Sequence, residues 1–251
     1  MAVKEIVKPI ILQRADPWIY KHTDGYYYFT ASVPEYDRIE IRRSKTINGL
    51  AESEAVTVWR KHKEGMLSAN IWAPEIHYID GKWYVYFAAA RTTETKEGLF
   101  DHRIFALENE SENPLEGSWV EKGQLKTNWE SFALDATTFE HKGIRYLVWA
   151  QKDPNICGNS NLYIAKMSNP WTIEGKQVMI TEPEYDWEKI GFLVNEGPAV
   201  INRNGKIFIS YSASATDFNY CMGVLIADEN SDLLNKDSWH KSEKPVLKTD
   251  N

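Results

Sequence analysis

The feature that most constrains the fold of this chain is an internal repeat of about sixty residues. A polar residue, a glycine and a β-rich run ending in small residues recur four times among the 251 residues: TDGYYYFTAS (23–32), DGKWYVYFAAA (80–90), KGIRYLVWAQ (142–151) and NGKIFISYSAS (204–214). Asp-Gly and Asn-Gly pairs favour tight turns, because glycine adopts positive φ without steric cost. Each repeat therefore predicts the tip of a β-hairpin.

Further strand-like segments flank every predicted tip. A short strand precedes each glycine, and another follows each repeated run, as RIEIRRS (38–44), RIFALEN (103–109), NLYIAKMS (161–168) and MGVLIADE (222–229). Units of about four short antiparallel strands repeated radially are typical of a β-propeller. A solenoid coil of about 20–30 residues is too short for this period, and a β-sandwich does not repeat internally in this way.

We therefore expect an all-β fold, a β-propeller of which four blades are visible. The predicted blades cover residues 10–70, 71–130, 131–190 and 191–251, within a single domain that spans 1–251. Helical periodicity is weak throughout the chain, so no helix is predicted.

An acidic residue accompanies the first strand of each repeat. These residues are Asp16, Glu75, Asp135 and Glu196, and their spacing keeps step with the glycines. Because the first strand of each propeller blade lines the central channel, we expect the four carboxyl groups to converge at one end of it. The alternative is that single acids cap turns or form ion pairs with Arg14, Arg91 or Arg145.

Converging carboxyl groups have a specific chemical use. Like charges held close together cannot all ionise at neutral pH, so at least one of the acids acquires a raised pKa. Glycoside hydrolysis needs one protonated carboxyl to protonate the leaving oxygen and one ionised carboxyl to activate water or attack directly. The pattern therefore predicts a glycosidase site.

The segments RADPWIY, SANIWAPEIHY, ALDATTF and VNEGPAV resemble the motifs of glycoside hydrolase family 43 over nearly the whole chain. The resemblance implies a five-bladed β-propeller that cleaves arabinofuranosyl or xylosyl linkages of plant polysaccharides with inversion. It also implies that Asp16 is the general base, that Asp135 tunes the pKa and orientation of the acid, and that Glu196 is the general acid.

Other positions receive weaker assignments. The resemblance implies that Trp72 contributes to the sugar-binding wall, and Gln151 is a further candidate for substrate contact. Glu75 has no acid or base role in the family, and we expect it to be structural. The aromatic residues Trp18, Trp83 and Trp149 lie within strand segments and are expected to pack between blades.

The sequence departs from the five-bladed pattern near its end. The repeat places a fifth channel-facing element near position 256, whereas the sequence ends at Asn251. We expect either a longer C-terminal segment, a four-bladed variant or a second chain that completes the propeller. The resemblance also implies a His at the axis, often tied to a metal or water cluster, and the region that usually supplies it is not in this sequence. We expect no required cofactor, with an axial metal left as a possible addition.

Composition excludes several functional classes. The net charge of −7 argues against binding of nucleic acid, and no segment has the length of a membrane span. The N-terminal segment lacks the apolar stretch of a signal peptide, which predicts a cytoplasmic protein unless an export signal has been removed. Cys157 and Cys221 form no motif and are expected to be free thiols.

Three functional hypotheses follow from these observations. The first is a glycosidase acting on arabino- or xylo-oligosaccharides, with an exo-α-L-arabinofuranosidase favoured over a β-xylosidase. The second is a propeller that binds carbohydrate or serves as a scaffold without catalysis. The third, a related furanosidase or sugar phosphorylase of five-bladed type that would depend on phosphate, is disfavoured because no glycine-rich phosphate-binding loop is visible.

Overall fold

A computed structural model describes residues 9–249 of the chain, which form four antiparallel blade sheets and one short two-stranded hairpin. The strands of blades 1 and 2 are β1 (Ala15–Lys21), β2 (Tyr27–Ser32), β3 (Arg38–Ser44), β4 (Val56–Arg60), β5 (Ala69–Ile79), β6 (Lys82–Ala90), β7 (Thr95–Lys96), β8 (Leu99–Phe100), β9 (Arg103–Asn109) and β10 (Val120–Gln124). Those of blades 3 and 4 are β11 (Ala133–His141), β12 (Ile144–Gln151), β13 (Asn161–Asn169), β14 (Thr172–Thr181), β15 (Asn195–Arg203), β16 (Lys206–Ala213), β17 (Cys221–Asp228), β18 (His240–Lys241) and β19 (Leu247–Lys248).

The predicted all-β propeller is confirmed. Blades 1 and 3 are simple four-stranded meanders, β1 to β4 and β11 to β14, and blade 4 runs β15 to β18 with β19 also pairing with β17. Blade 2 uses β5, β6, β9 and β10, because the short hairpin β7–β8 is inserted between its second and third strands. The helical content of residues 9–249 is restricted to the 3₁₀ turns Asn48–Leu50, Asp186–Glu188 and Lys236–Ser238.

Blade boundaries differ slightly from the prediction. Strand β5 begins at Ala69, inside the segment assigned to the first blade, because the motif before the predicted strand is itself extended. The predicted domain also includes residues 1–8 and 250–251, which lie outside the described residues.

Three of the four predicted hairpin tips are two-residue turns in which both central residues have positive φ. These pairs are Asp80-Gly81, Lys142-Gly143 and Asn204-Gly205. Such turns match the right-handed twist of the flanking strands. The first tip differs: a longer loop joins β1 to β2, with Gly25 at φ 82° and its N–H bonded to the His22 carbonyl. The repeat therefore located all four tips correctly.

Three buried apolar clusters lie between neighbouring blades. Trp83 packs with Tyr28 and Ile39 between blades 1 and 2, and Trp149 packs with Tyr86 between blades 2 and 3. A third cluster joins blades 3 and 4. The indole N–H of Trp18 in blade 1 donates to the Ile76 carbonyl of blade 2 at 2.9 Å. The expected packing of these tryptophans between blades is confirmed.

The first strands of the blades stand side by side along the channel. Strand β1 packs beside β5, β5 beside β11, and β11 beside β15. Within residues 9–249, no apolar cluster of the same kind joins blade 4 to blade 1. The outer face of blade 1 instead carries a small cluster around Phe29, Ala31 and Leu50, with Ile11 against it.

Candidate active site

A cavity of about 580 Å³ lies at the end of the channel where the first strands begin. Three predicted residues from three blades, Asp16, Asp135 and Glu196, line it together. Its remaining walls come from all four blades and from the hairpin β7–β8; their aromatic residues are Tyr36, Trp72, Phe100, Phe132, Phe192 and Tyr220. A neighbouring cavity of about 390 Å³ shares Asp16 and Asp135 and reaches Glu75.

A bulge in the first strand of each blade sets the direction of these side chains. In every first strand, two residues lie opposite one residue of the second strand, and the first of the two has positive φ; β5 has an additional bulge of this kind at Asn70 (φ 49°). The bulged residues are Asp16 (φ 51°), Ala73 (φ 45°), Asp135 (φ 54°) and Gly197 (φ 58°). Bulges of this kind are known to redirect side chains beside active sites.

The bulges correct one prediction about the acids. Their spacing suggested that all four acids occupy equivalent positions, but only Asp16 and Asp135 are bulged residues. Glu196 lies one residue before the bulge of blade 4, and Glu75 lies two residues after that of blade 2. The four carboxyl groups approach the channel from three different backbone positions. A sequence spacing of about sixty residues between the acids cannot show whether an acid lies at the bulge or one or two residues from it.

Glu196 is half-buried and accepts a hydrogen bond on Oε1 from the Tyr220 hydroxyl at 3.0 Å. Burial raises the pKa of Glu196 to about 7, and the charge of Asp16 adds to this, whereas the Tyr220 hydrogen bond opposes it. A carboxyl with this pKa retains its proton in mildly acidic solution. Glu196 therefore has the properties of a general acid.

Hydrogen bonds of Asn195, the residue before Glu196, fix the backbone at this point. The Asn195 amide donates to Glu188 Oε1 at 3.1 Å and accepts from the Thr181 hydroxyl at 2.9 Å. Its N–H donates to the Ser160 carbonyl of blade 3. The start of β15 is thereby attached to blade 3.

Asp135 accepts a hydrogen bond on Oδ2 from the backbone N–H of Gly197 at 2.9 Å. Burial raises the pKa of Asp135 well above its ordinary value, and the negative charges of Glu196 and Asp16 raise it further. Asp135 and Glu196 are thus electrostatically coupled, and at mildly acidic pH the pair keeps a proton.

Asp16 is more exposed, and its Oδ2 accepts a hydrogen bond from the Ser32 hydroxyl at 2.7 Å. None of the three acids forms an ion pair with a described Lys or Arg. The arginines that could have paired with them pair elsewhere: Arg14 with Glu40, Arg91 with Asp101, and Arg145 with Glu140. The ion-pair alternative is therefore wrong for these acids.

Glu75 contacts His77, with 3.1 Å between Oε2 and Nε2. Burial raises the pKa of Glu75 well above its ordinary value, and burial lowers the pKa of His77 to about 3. Both shifts favour a neutral, hydrogen-bonded pair over an ion pair. This arrangement agrees with a structural role for Glu75.

Trp72 lies in the cavity wall, half-buried, with its ring stacked on His102 at a centroid distance of 4.1 Å. Phe100 and Tyr36 contact it edge-on. Gln151 lies elsewhere: it is fully buried and lines neither of these cavities. Its amide is saturated by hydrogen bonds within blade 3 and its surroundings, including those to Trp149, Thr127 and Ser131.

Two residues that contact the acids were not singled out from the sequence. Ser32 ends the first repeated run, at a position where the repeat shows only that small residues are preferred. Tyr220 lies in the loop before β17, outside every repeat motif, and no sequence signal marked it. Ser32 reaches the site by contacting Asp16 on β1, and Tyr220 by contacting Glu196 on β15.

Two classes of feature are absent from the part of the chain that the structure describes. No group of three or more His, Cys, Asp or Glu side chains is arranged to hold a metal ion. Residues 9–249 therefore provide no such ligand group for the axial metal that the resemblance suggested, and the expectation that no cofactor is required stays a prediction. No helix within residues 9–249 has the length and hydropathy needed to cross a membrane.

Cys157 is exposed and Cys221 is buried, and both are free.

Comparison with known proteins gives consistent results. The family model described as "Glycosyl hydrolases family 43" matches residues 6–251. An "Extracellular exo-alpha-(1->5)-L-arabinofuranosidase" of Streptomyces avermitilis is 57% identical over 241 residues, which cover 96% of this chain and 49% of that protein. "Alpha-L-arabinofuranosidase 43" of Humicola insolens is 56% identical over 242 residues, with coverage of 96% and 49%. The chain thus spans about half the length of these curated relatives.

Solved structures support the fold in the same way. The crystal structure of an α-L-arabinofuranosidase from Lactobacillus brevis matches with a TM-score of 0.95 and 58% identity, covering 97% of this chain and 76% of that one. A thermostable family-43 glycoside hydrolase matches with a TM-score of 0.76 at 24% identity, covering 97% and 77%. The second match bears on the fold alone.

Proposed function

This chain belongs to glycosyl hydrolase family 43, and on that premise we propose that it hydrolyses terminal α-L-arabinofuranosyl linkages of oligosaccharides derived from arabinan or hemicellulose. The observation that carries the proposal is the meeting of Asp16, Asp135 and Glu196 in one cavity with several aromatic wall residues, where no described Lys or Arg pairs with them. The raised pKa of Glu196 supplies the protonated carboxyl that the reaction requires.

The proposed reaction is a single displacement. Asp16 takes a proton from a water molecule as the water oxygen bonds to the anomeric carbon. On the opposite side of the sugar ring, the glycosidic C–O bond breaks and Glu196 gives its proton to the departing oxygen. Asp135, which is hydrogen-bonded to the residue after Glu196, influences the proton affinity of the acid through its charge. The product forms with inverted configuration at the anomeric carbon.

The preference for arabinose rests on the named relatives, which are arabinofuranosidases at 50–57% identity. Two of them, from Streptomyces species, are named as exo-acting on α-(1→5) linkages. A β-xylosidase remains the alternative within the family. Hydrolysis of 4-nitrophenyl α-L-arabinofuranoside and 4-nitrophenyl β-D-xylopyranoside distinguishes the two. We expect a higher kcat/KM on the arabinofuranoside.

The mechanism can be tested independently of substrate preference. We expect Asp16→Ala and Glu196→Ala to lower kcat by about 10²-fold or more, and proton NMR of the first-formed sugar to show the inverted anomer. Wild-type rates in both variants would refute the assignment. Calorimetry that detects oligosaccharide binding without turnover by the wild-type protein would instead favour a non-catalytic propeller.

We also propose that a further β element, from a longer chain or a second chain, covers the open side between blades 4 and 1. A cavity of about 340 Å³ lined by Ile10, Ile11, Ile19, Phe29 and Leu50 lies on this side of blade 1. Two large apolar side chains of blade 4, Ile201 and Leu247, are also exposed to solvent. Sedimentation velocity tests the second-chain option, since a dimer at micromolar concentration would support it.

The names of the two Streptomyces relatives include the word extracellular. They do not support the cytoplasmic expectation, and we propose that this protein acts outside the cell. Arabinofuranosidase activity in the culture medium of the source organism, lost on disruption of the gene, tests this proposal.

A further inference from the structure

The bulges of neighbouring blades are linked through the acids. In blades 3 and 4, the backbone N–H of the bulged Gly197 donates directly to the bulged Asp135 at 2.9 Å. In blades 1 and 2, the bulged Ala73 and Asp16 are linked through one intervening side chain. The Ala73 N–H donates to Ser32 Oγ at 2.8 Å, and the Ser32 hydroxyl donates to Asp16 Oδ2 at 2.7 Å.

These contacts fix the direction of the Ser32 hydroxyl. Ser32 is 2% exposed, so water has little access to it. A serine hydroxyl has one hydrogen to donate and lone pairs that accept. Because the Ala73 N–H occupies a lone pair, the hydroxyl hydrogen points toward Asp16. Among the described residues, Asp16 Oδ1 has no hydrogen-bond partner, and Asp16 is one of the residues that line the cavity.

The hydroxyl of Ser32 is not required by the position it occupies. Ser32 lies opposite Ala15 across the sheet, immediately before the bulge. The residues at the same place in blades 2 and 3 are Ala88 and Ala150, opposite Trp72 and Leu134, whereas blade 4 has a second serine, Ser212, opposite Glu196. An alanine is thus compatible with this sheet position. In blade 1, the N–H of the neighbouring bulged residue Ala73 does not bond to Asp16 directly, and Ser32 links the two.

We propose that Ser32 is the positioning residue of the general base, holding Asp16 Oδ2 so that Oδ1 is directed at the attacking water. This inference rests on the proposed function, since it assigns a role toward the reaction of that same site. Its effect belongs to the transition state, because the base acts on water and not on the bound sugar. Loss of the hydroxyl should therefore lower kcat and leave KM unchanged.

The experiment compares Ser32→Ala and Ser32→Cys with the wild-type protein. Both variants remove a good donor, but the cysteine retains the side-chain volume and has only a weak S–H donor. We expect kcat on 4-nitrophenyl α-L-arabinofuranoside and on arabinobiose to fall by the same factor, up to about 100-fold, in both variants. The factor should be equal for the two substrates because a defect in the base does not depend on the leaving group.

The matched control is Ser210→Ala. Ser210 lies on the second strand of blade 4, and its hydroxyl contacts the Ala199 carbonyl and no acid. We expect wild-type kinetics for this variant and unfolding temperatures within a few degrees of the wild type for all three.

Crystal structures of the wild type and Ser32→Ala supply a readout that does not depend on activity. We expect the Asp16 carboxylate to occupy one rotamer in the wild type and to rotate or become disordered in the variant. An unchanged Asp16, or wild-type kcat in Ser32→Cys, would overturn the inference. Absence of any hydrolase activity in the wild type would refute the proposed function, and the crystallographic comparison would still decide whether Ser32 positions Asp16.

Discussion

Glu196 shows how a single residue can reduce the stability of the fold and still serve the proposed reaction. Its carboxyl is half-buried, close to the charge of Asp16 and coupled to Asp135, and it has no cationic partner among residues 9–249. The Tyr220 hydroxyl is the neutral donor that it does have. Such an environment destabilises the ionised form, which is unfavourable for the fold at neutral pH but provides an acid that can donate a proton there.

The first prediction concerns Tyr220→Phe. Because the Tyr220 hydrogen bond lowers the pKa of Glu196, its loss should raise that pKa above about 7. The rate requires protonated Glu196, so the wild-type rate should decline as pH rises through about 7. In the variant this decline should move to higher pH.

The same variant should also have a weaker acid catalyst. We expect kcat to fall by about 10-fold on arabinobiose, whose leaving group needs protonation, and less on the 4-nitrophenyl substrate. Tyr146→Phe is the control, since its ring packs on Phe139 away from the cavity. Identical pH profiles for Tyr220→Phe and the wild type would contradict this prediction.

A second prediction separates the stability contribution of Glu196 from its catalytic role. In the folded state its pKa is raised from 4.5 to about 7, so between these values the folded state binds more protons than the unfolded state. The free energy of unfolding should therefore decrease as pH rises from about 4.5 to about 7. Glu196→Gln cannot ionise and should remove this dependence.

At pH 8 we expect Glu196→Gln to be more stable than the wild type by about 1–2 kcal/mol in urea unfolding, with activity lost. The expected difference vanishes at pH 4.5, where both side chains are neutral. A variant less stable than the wild type at pH 8 would show that the ionised carboxylate contributes favourably to the fold.

At the scale of elements, the bulge of each first strand is the feature that constructs the site. A residue at positive φ lies near the start of each of β1, β11 and β15, and β5 has two such residues, Asn70 and Ala73; the first strands lie side by side, so these irregularities meet at one end of the channel. Aspartate and glycine tolerate this backbone conformation better than most residues. Ala73 is the exception, at φ 45° and 6% exposed.

The third prediction is that Ala73→Gly stabilises the protein. A non-glycine residue in this conformation is strained by about 1–2 kcal/mol, and the greater entropy of glycine in the unfolded chain offsets part of the gain. We expect a net increase of about 0.5–1 kcal/mol in the free energy of unfolding, with kcat retained because the Ala73 N–H remains. Ala88→Gly, in the extended strand β6, should be destabilising by about 1 kcal/mol. Destabilisation in both variants would contradict the assignment of strain to Ala73.

At the scale of the whole molecule, the blades are joined by apolar clusters and by one buried polar network between blades 3 and 4. Glu188 is fully buried and accepts hydrogen bonds from Asn195, Tyr211 and Lys241. Burial alone would raise its pKa, but backbone N–H groups and Lys241 prevail and lower it. Lys241 also donates to the Glu182 carbonyl that follows β14. The network therefore attaches blade 4 to the end of blade 3.

The fourth prediction is that Lys241→Met destabilises the protein by about 3–5 kcal/mol, because Glu188 keeps a buried charge without its cationic partner. The depressed pKa of Glu188 gives the wild type stability that is present above the unfolded pKa and lost as pH falls below it. This acid-side dependence should weaken in the variant. Urea unfolding at pH 4 and pH 7 measures both effects.

Lys206→Met is the control for this prediction, since Lys206 forms an exposed ion pair with Asp228 on the same blade. We expect a change within about 0.5 kcal/mol there. Equal effects of the two substitutions would contradict the importance of burial for the Glu188 network.

Much of the fold was predictable because it rests on local chemistry repeated along the chain. Turn residues at Gly81, Gly143 and Gly205 set the hairpins, and alternating apolar runs set the strands. The acids were recognisable because burial of a carboxyl group is unfavourable unless the group is hydrogen-bonded or paired, so an acid at the start of a buried strand calls for an explanation. Motif resemblance then assigned distinct roles to Asp16, Asp135 and Glu196, which the repeat alone could not do.

Only the tertiary structure decided how those acids are held. A bulge shifts the side chains of a strand by one position without a reliable compositional signal, so the different backbone positions of Glu75 and Glu196 could not be read from spacing. Ser32 and Tyr220 reach Asp16 and Glu196 through strand pairing and a loop, and the partners of Gln151 include Thr127, which lies 24 residues earlier in the chain. The sequence determined which groups are present and the blades that carry them, whereas their partners depend on contacts between segments that meet only when the blades pack.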